Sequence, residues 1–228
     1  MSNTPTDIFL LMGQSNMAGR GPLEGAERLE DPRILVLKDS QWVPAVEPLF
    51  TDKATAGAGL GMSFARHLLQ EEPDRRIGLV PSAIGGTPLS RWEVGADLYE
   101  RNLDMARQAG GPFRAALWHQ GEADAQTPEL ALSYFDRFST MLQTLRATLE
   151  QPDLSMLVGQ LGLFLTADPR FACYDELDAA LRQIGGQPNC AYVSAEDLAD
   201  HGDKVHFDTP SIREFGRRYT AAYTNLQY

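Results

Sequence analysis

Short apolar runs alternate along this chain with longer stretches of helical period. Ile8 to Met12, Ile77 to Pro81, Ala115 to Trp118, Met156 to Leu161 and Ala191 to Val193 each have the length of a strand. None alternates cleanly between apolar and polar, which is the pattern of strands covered on both faces. Between them, Thr127-Pro128 reads as an N-cap with proline at the first helical position. Ala131, Tyr134, Phe135, Phe138, Met141, Leu142, Leu145 and Leu149 follow at a 3.6 period. That periodicity makes the aromatic stripe Tyr134, Phe135, Phe138 a core face. Asp175 is placed to cap a helix over 176–184 that Gly185 stops, and Thr209-Pro210 repeats the opening signal ahead of Ile212, Phe215, Tyr219 and Ala222.

Strand–helix alternation of this kind predicts an α/β fold: a three-layer α/β/α sandwich around a mainly parallel sheet of about five strands. The segment 31–56 breaks the rhythm. Ile34 to Leu37 and Gln41 to Val43 flank Lys38-Asp39-Ser40 and predict a small hairpin or excursion. No repeat, low-complexity tract or linker divides the chain, so residues 1–228 are expected to form a single domain.

Composition narrows the partners. The apolar fraction of 43% and charged fraction of 22% are those of an ordinary globular protein, with no bias towards disorder. A formal charge of −11 repels both a nucleic-acid duplex and an anionic membrane, and favours a small, neutral substrate. An anionic substrate would need local help from arginines. Two cysteines, Cys173 and Cys190, are too few for a disulfide framework. No basic n-region or cleavage pattern opens the sequence and no apolar run approaches a membrane span. The chain therefore reads as soluble, with the cytoplasm as the expected compartment.

In an open parallel sheet, ligands bind beyond the carboxyl ends of the strands. The residues that follow the predicted strands are correspondingly polar: Gly13-Gln14-Ser15-Asn16 after the first, Ser82 to Trp92 after the second, His119 to Asp124 after the third. Asp203-Lys204-Val205-His206-Phe207 lies near the C-terminus. A serine just past a strand either caps a helix or serves as a nucleophile whose own N–H stabilises an oxyanion. Ser15 alone does not decide between these. A serine nucleophile needs a base held in the correct tautomer. Asp203 and His206, three residues apart, bring a carboxylate and an imidazole to one side of a turn-like segment. His119, beside Gln120 at a strand end, is the rival base, whereas His67 in an amphipathic helix and His201 in a polar loop have no comparable partner. The glycines at 85 and 86 offer a backbone N–H at a tight turn, and Gln120 offers a side-chain amide.

Other chemistries find little support. The G-x-S-x-G elbow is absent because residue 17 is methionine. Gly57-Ala58-Gly59-Leu60-Gly61 has the wrong spacing for a dinucleotide fingerprint and is expected to open a helix carrying Phe64, Leu68 and Leu69. No metal-ligand spacing is evident, so neither metal nor cofactor is expected.

Taken together and in order, "GQSNMAG", "AIGGTPLSRW", "WHQGEAD" and "DKVHF" resemble the motif blocks of the SGNH hydrolases. The resemblance is to the sialate O-acetylesterase-like branch, which includes plant and bacterial acetylxylan esterases (carbohydrate esterase family 6 type). It spans residues 13 to 207. It implies Ser15 as nucleophile, His206 as base and Asp203 as its orienting acid. It also implies an oxyanion hole from the N–H of Ser15, the N–H of Gly86 (or of Gly85) and the amide of Gln120. Ser82 stands where many relatives carry cysteine, with no consequence for catalysis. The implied activity is removal of O-acetyl groups from a carbohydrate, either acetylated xylan or an acetylated sialic acid, through an acyl-enzyme.

Gln14, Arg91, Trp92 and Glu122 are the candidate substrate contacts. Trp92 would stack a sugar ring, Arg91 or Arg20 would pair with a sugar carboxylate, and Glu122 would alternatively brace the loop under Gln120. Two rival readings remain: a carbohydrate-binding protein that keeps the fold without catalysis, and a flavodoxin-like nucleotide-binding domain. The second would want an acidic cluster or phosphate cradle where Gln14-Ser15-Asn16 stands.

Overall fold

The computed structural model describes residues 4–227. In chain order the elements are β1 (Asp7–Gly13), α1 (Ser15–Ala18), β2 (Ile34–Lys38), β3 (Gln41–Pro44), α2 (Leu60–Glu71) and β4 (Ile77–Pro81). They continue with α3 (Asp97–Ala109), β5 (Phe113–His119), α4 (Pro128–Thr148), β6 (Ser155–Gly159), α5 (Tyr174–Gly185), β7 (Cys190–Val193) and α6 (Thr209–Gln227). Among the described residues the strands form one sheet in the order β3-β2-β4-β1-β5-β6-β7. Every pairing is parallel except that of β3 with β2. No described helix is long and apolar enough to cross a membrane.

The sheet has seven strands where the apolar runs predict about five. The difference is the 31–56 segment, which joins the sheet as β2 and β3. Asp39 and Ser40 both take positive φ (48° and 61°), the conformation of a tight hairpin turn whose twist suits the flanking strands. β2 pairs in parallel with β4, so the hairpin extends the sheet instead of leaving it. The predicted helices form, with α4 opening at Thr127-Pro128. The fifth begins earlier than expected, at Tyr174 with Cys173 at its N-cap position, and Asp175 lies inside its first turn. There its carboxylate still complements the helix dipole.

The central strand shows why the apolar runs do not alternate. Ile8, Leu10 and Met12 of β1 enter one core, with α3, α4 and α5; Phe9 and Leu11 enter the other, with α2 and α6. Successive strand side chains point to opposite faces, and here both faces are covered. In the second core Phe9 meets Phe64 and Tyr223 edge-on, with ring centroids 4.9 and 5.3 Å away. Such aromatic pairs contribute about 0.5–1.5 kcal/mol beyond their burial. The first core holds Trp118 against Trp92 and Phe138, each at 5.2 Å. With both sheet faces sealed, the polar loops at the strand ends are left as the place for a site.

Candidate active site

β1 and β5 lie side by side and end together, Gly13 opposite His119. The chain turns so closely here that a Cβ on Gly13 would lie 2.1 Å from the His119 carbonyl oxygen, and its φ is +126°. Only glycine permits this approach. The next N–H, of Gln14, donates to that same carbonyl at 2.9 Å. Ser15 is thereby set as the first residue of α1, where a backbone N–H has no acceptor within the helix.

The loop between β7 and α6 carries the other two members of the constellation. Asp203 Oδ1 accepts from the N–H groups of Val205 and His206, both at 2.8 Å, folding the segment into a side-chain-closed turn. Asp203 Oδ2 lies 2.5 Å from His206 Nδ1, and His206 Nε2 lies 3.0 Å from Ser15 Oγ. The fold thus joins a hydroxyl and an imidazole separated by 191 positions in the chain. With a carboxylate as acceptor, the proton of the neutral ring belongs on Nδ1, which leaves the Nε2 lone pair facing the hydroxyl. Burial pushes the Asp203 carboxyl up. The His206 N–H, its ring and the Val205 N–H outweigh that and hold it below the usual carboxylate value.

Asn16 grips this loop on both sides of the imidazole. Its Nδ2 donates to the Val205 carbonyl at 3.1 Å, and its Oδ1 accepts from the Phe207 N–H at 3.2 Å. The same Nδ2 group donates to Glu122 Oε1 at 2.7 Å. Glu122 is 2% exposed, its Oε2 has no partner, and burial raises its pKa to about 7. Glu122 therefore braces Asn16, and through it the histidine loop, instead of the loop under Gln120.

Three other assignments need correction: Gln120, Trp92 and Arg91. Gln120 is fully buried, and its Nε2 faces three acceptors: Asp124 Oδ2 at 2.6 Å, the Thr87 carbonyl at 3.1 Å and Gln14 Oε1 at 3.2 Å. Its Oε1 accepts from Tyr134 Oη at 2.8 Å. An amide so committed does not offer a free donor to a ligand. It fixes Gln14, which does line the cleft, and holding Gln14 Oε1 leaves that residue's Nε2 as the donor. Of the paired glycines, Gly85 gives its N–H to Asp52 Oδ2 at 2.8 Å. Gly86, at φ +75° with open space where a Cβ would stand, borders the cleft.

Trp92 is likewise wrongly placed as a sugar platform. It is 0% exposed, packed against Trp118, and its Nε1 donates to Thr87 Oγ1 at 3.3 Å. Arg91 is exposed and paired with Asp97, away from the cleft. Arg20 does border it, but its guanidinium is held by both oxygens of Asp52, at 2.6 and 3.2 Å, and by the Gly19 carbonyl. Ser82 donates to the Leu11 carbonyl and to Asn102 inside the core, a structural position.

The remaining histidines separate clearly. His119 is completely buried with neither ring nitrogen bonded, edge-on to Phe215 at 5.4 Å, and burial lowers its pKa to about 3. It faces no cleft and is no base. His67 sits against the Ser63 carbonyl of its own helix. His201, in contrast to the expectation from sequence, has a partner: its Nε2 lies 3.3 Å from Asp203 Oδ2.

Ser15 and His206 open into a cleft of about 450 Å³, bordered also by Gln14, Arg20, Lys53, Gly86, Glu122, Gln126 and Arg170. This is the size of a small-ligand site. Asn16, Asp52, Lys53, Gln126 and Arg170 escape a reading of the sequence. Asn16 alone carries a signal, as the neighbour of the serine in a polar turn; the others sit in loops of irregular pattern.

A family model of carbohydrate esterases, the sialic acid-specific acetylesterases, matches residues 5–225. A probable carbohydrate esterase of Arabidopsis thaliana is 33% identical over 96% of this chain and 90% of its own length. An Arabidopsis crystal structure superposes with a TM-score of 0.86 at 30% identity, covering 97% of this chain and 98% of that one. The structure of NanS shares the fold with a TM-score of 0.82 at 20% identity over 98% of both chains. The acetylxylan esterase Axe2 of Geobacillus stearothermophilus shares it at 0.58 and 15%, over 98% of this chain and 96% of its own. The chain thus belongs to the carbohydrate esterase family of the sialic acid-specific acetylesterases, and is a carboxylic ester hydrolase acting on carbohydrates.

Proposed function

We propose that the protein is a serine O-acetylesterase that works through an acetyl-enzyme. The observation that carries this reading is the 3.0 Å approach of His206 Nε2 to Ser15 Oγ, with Asp203 bonded to the far side of the ring. Ser15 Oγ attacks the acetyl carbonyl as His206 Nε2 takes its proton. The carbonyl π pair moves to oxygen, and the resulting negative charge is met by the N–H groups of Ser15 and Gly86 and the side-chain amide of Gln14. Collapse expels the sugar oxygen, which receives the proton from His206. Water, deprotonated by the same imidazole, then attacks the acetyl-serine, and acetate leaves as Ser15 regains its proton. Asp203 stabilises the imidazolium in both halves.

The cleft also bears on the sugar. In a chain of net charge −11, Lys53 stands at its border, beside an Arg170 already paired with Asp168 at 2.6 Å; the Lys53 ammonium favours an acetylated sugar bearing a carboxylate over neutral xylan. Acetate release from O-acetyl sialic acid and from acetylated xylo-oligosaccharides compares the two directly. Labelling by a fluorophosphonate tests the nucleophile, with Ser15→Ala as the control. An unlabelled wild-type protein with no acetate release would favour carbohydrate binding without catalysis.

A further inference from the structure

Among the described residues, one group of side chains has the donor types and spacing to chelate a metal ion. It is built on the histidine loop itself: His201, Asp203 and His206 each offer one ligand atom, and these three atoms all lie within 4.8 Å of one another. Asp203 Oδ2 sits between the two rings, 3.3 Å from His201 and 2.5 Å from His206. The imidazoles are nearly parallel, 7° apart, with centroids 6.0 Å from each other. A short antiparallel bridge between Asp200 and Phe207, with the His201 N–H on the His206 carbonyl at 3.0 Å, keeps the two histidines on one face of the loop.

We propose that His201, Asp203 and His206 form a site for a zinc-class divalent cation, and that its occupation switches the esterase off. The switching half rests on the function proposed above; the binding half does not. Two imidazoles and a carboxylate match the borderline-soft preference of zinc, whereas magnesium and calcium want oxygen ligands. Tetrahedral zinc, with bonds of about 2.0–2.1 Å, sets its ligand atoms roughly 3.3 Å apart. Asp203 Oδ2 already stands at that distance from His201 Nε2, 3.3 Å, and closer than that, 2.5 Å, to His206 Nδ1. Rotation of partly exposed side chains, 26% for His201, 36% for Asp203 and 23% for His206, is enough to close the set.

Inhibition follows from the tautomer. In the catalytic arrangement the ring proton is on Nδ1 and the lone pair of Nε2 receives the serine proton. A cation binds Nδ1 through a lone pair on that nitrogen, so the ring proton must leave Nδ1 for Nε2, where it occupies the pair that would have received the serine proton. The imidazole then donates to Ser15 Oγ and has no free pair with which to deprotonate it. Asp203 is drawn to the metal at the same time. His201 takes no proton and touches no reacting atom in the proposed hydrolysis; it meets the site only through its 3.3 Å contact with Asp203, so removing it weakens the metal site and leaves Ser15 and His206 in place.

Titration calorimetry with zinc chloride measures binding, and hydrolysis of a small acetyl ester across the same zinc concentrations measures switching. The wild-type chain is expected to bind one zinc, to lose activity along the binding curve, and to recover it on addition of a chelator. Magnesium should do neither. His201→Ala should keep turnover without zinc within a few-fold of wild type and require at least tenfold more zinc for half-inhibition. Ser15→Ala should bind zinc as the wild type does, which scores the site even if no esterase activity is found. Absence of stoichiometric zinc binding, binding that leaves activity intact, or a His201→Ala variant as zinc-sensitive as wild type would each overturn the proposal.

Discussion

Asn16 donates a 2.7 Å hydrogen bond to Glu122, a buried carboxylate 106 positions away in the chain, and the pair stands directly behind the candidate base. Asn16 holds the carbonyl of Val205 and the N–H of Phe207, the residues on either side of His206. The position of the imidazole is therefore set as much by Asn16 as by Asp203. Asn16→Ala should lower kcat by about tenfold to a hundredfold with little change in KM, the penalty of a displaced catalytic group. Steady-state kinetics on a small acetyl ester, with circular dichroism to establish folding, make the test; an unchanged kcat would remove Asn16 from this role.

The buried Glu122 carboxyl gives stability a pH dependence of known sign. Its pKa rises from 4.5 to about 7 on folding, so the folded chain takes up a proton that the unfolded chain releases between these values. Its contribution is complete below pH 4.5 and disappears as pH rises through about 7. At about 1.4 kcal/mol per unit, the effect is on the order of 3 kcal/mol. Glu122→Gln keeps an acceptor for Asn16 and should lose this dependence, gaining stability relative to wild type at pH 8 but not at pH 4. Urea denaturation at the two pH values reads the difference.

His119 acts with the opposite sign. Its folded pKa of about 3 lies below the ordinary 6.5, so protons bind the unfolded chain preferentially. The stability it contributes is full above pH 6.5 and is lost as pH falls towards 3. His119→Leu should flatten acid denaturation over that range and leave ester hydrolysis at pH 7 within a few-fold of wild type. Loss of turnover in a folded variant would restore His119 as a base.

Gln14 and Gln120 make separable predictions from one hydrogen bond. Gln14→Ala should reduce kcat by about a hundredfold to a thousandfold, the usual cost of one oxyanion donor. Gln120→Ala should lose both activity and stability, since it empties the buried network of Asp124, Thr87 and Tyr134. A Gln14→Ala variant with wild-type kcat would leave the hole with two backbone donors.

Substitutions at Trp92 and Arg91 distinguish packing from sugar recognition. Trp92→Phe should cost about 1–3 kcal/mol of stability and leave KM alone, because the indole is sealed against Trp118. Arg91→Ala should change neither. A raised KM for the sugar ester in either variant, with stability unaltered, would return that side chain to the binding surface.

Local pattern was enough for the α/β class, the central strands and the helices that begin at Thr127-Pro128 and Thr209-Pro210, because periodicity and capping act within a few residues. The proposed nucleophile, base and acid were visible as ordered blocks for a related reason: Asp203 and His206 shape one another inside a single turn, and Ser15 follows its strand directly. What β2 and β3 would do was not decided locally, since a hairpin joins a sheet only where β4 offers it an edge. Nor was the fate of Gln120, Trp92 and Asn16. A polar or aromatic side chain reads alike in sequence whether it meets solvent or a buried partner. Only the packed fold supplied Asp124 and Thr87 to occupy the Gln120 amide, Trp118 to cover the indole, and Glu122 to anchor Asn16 behind the imidazole.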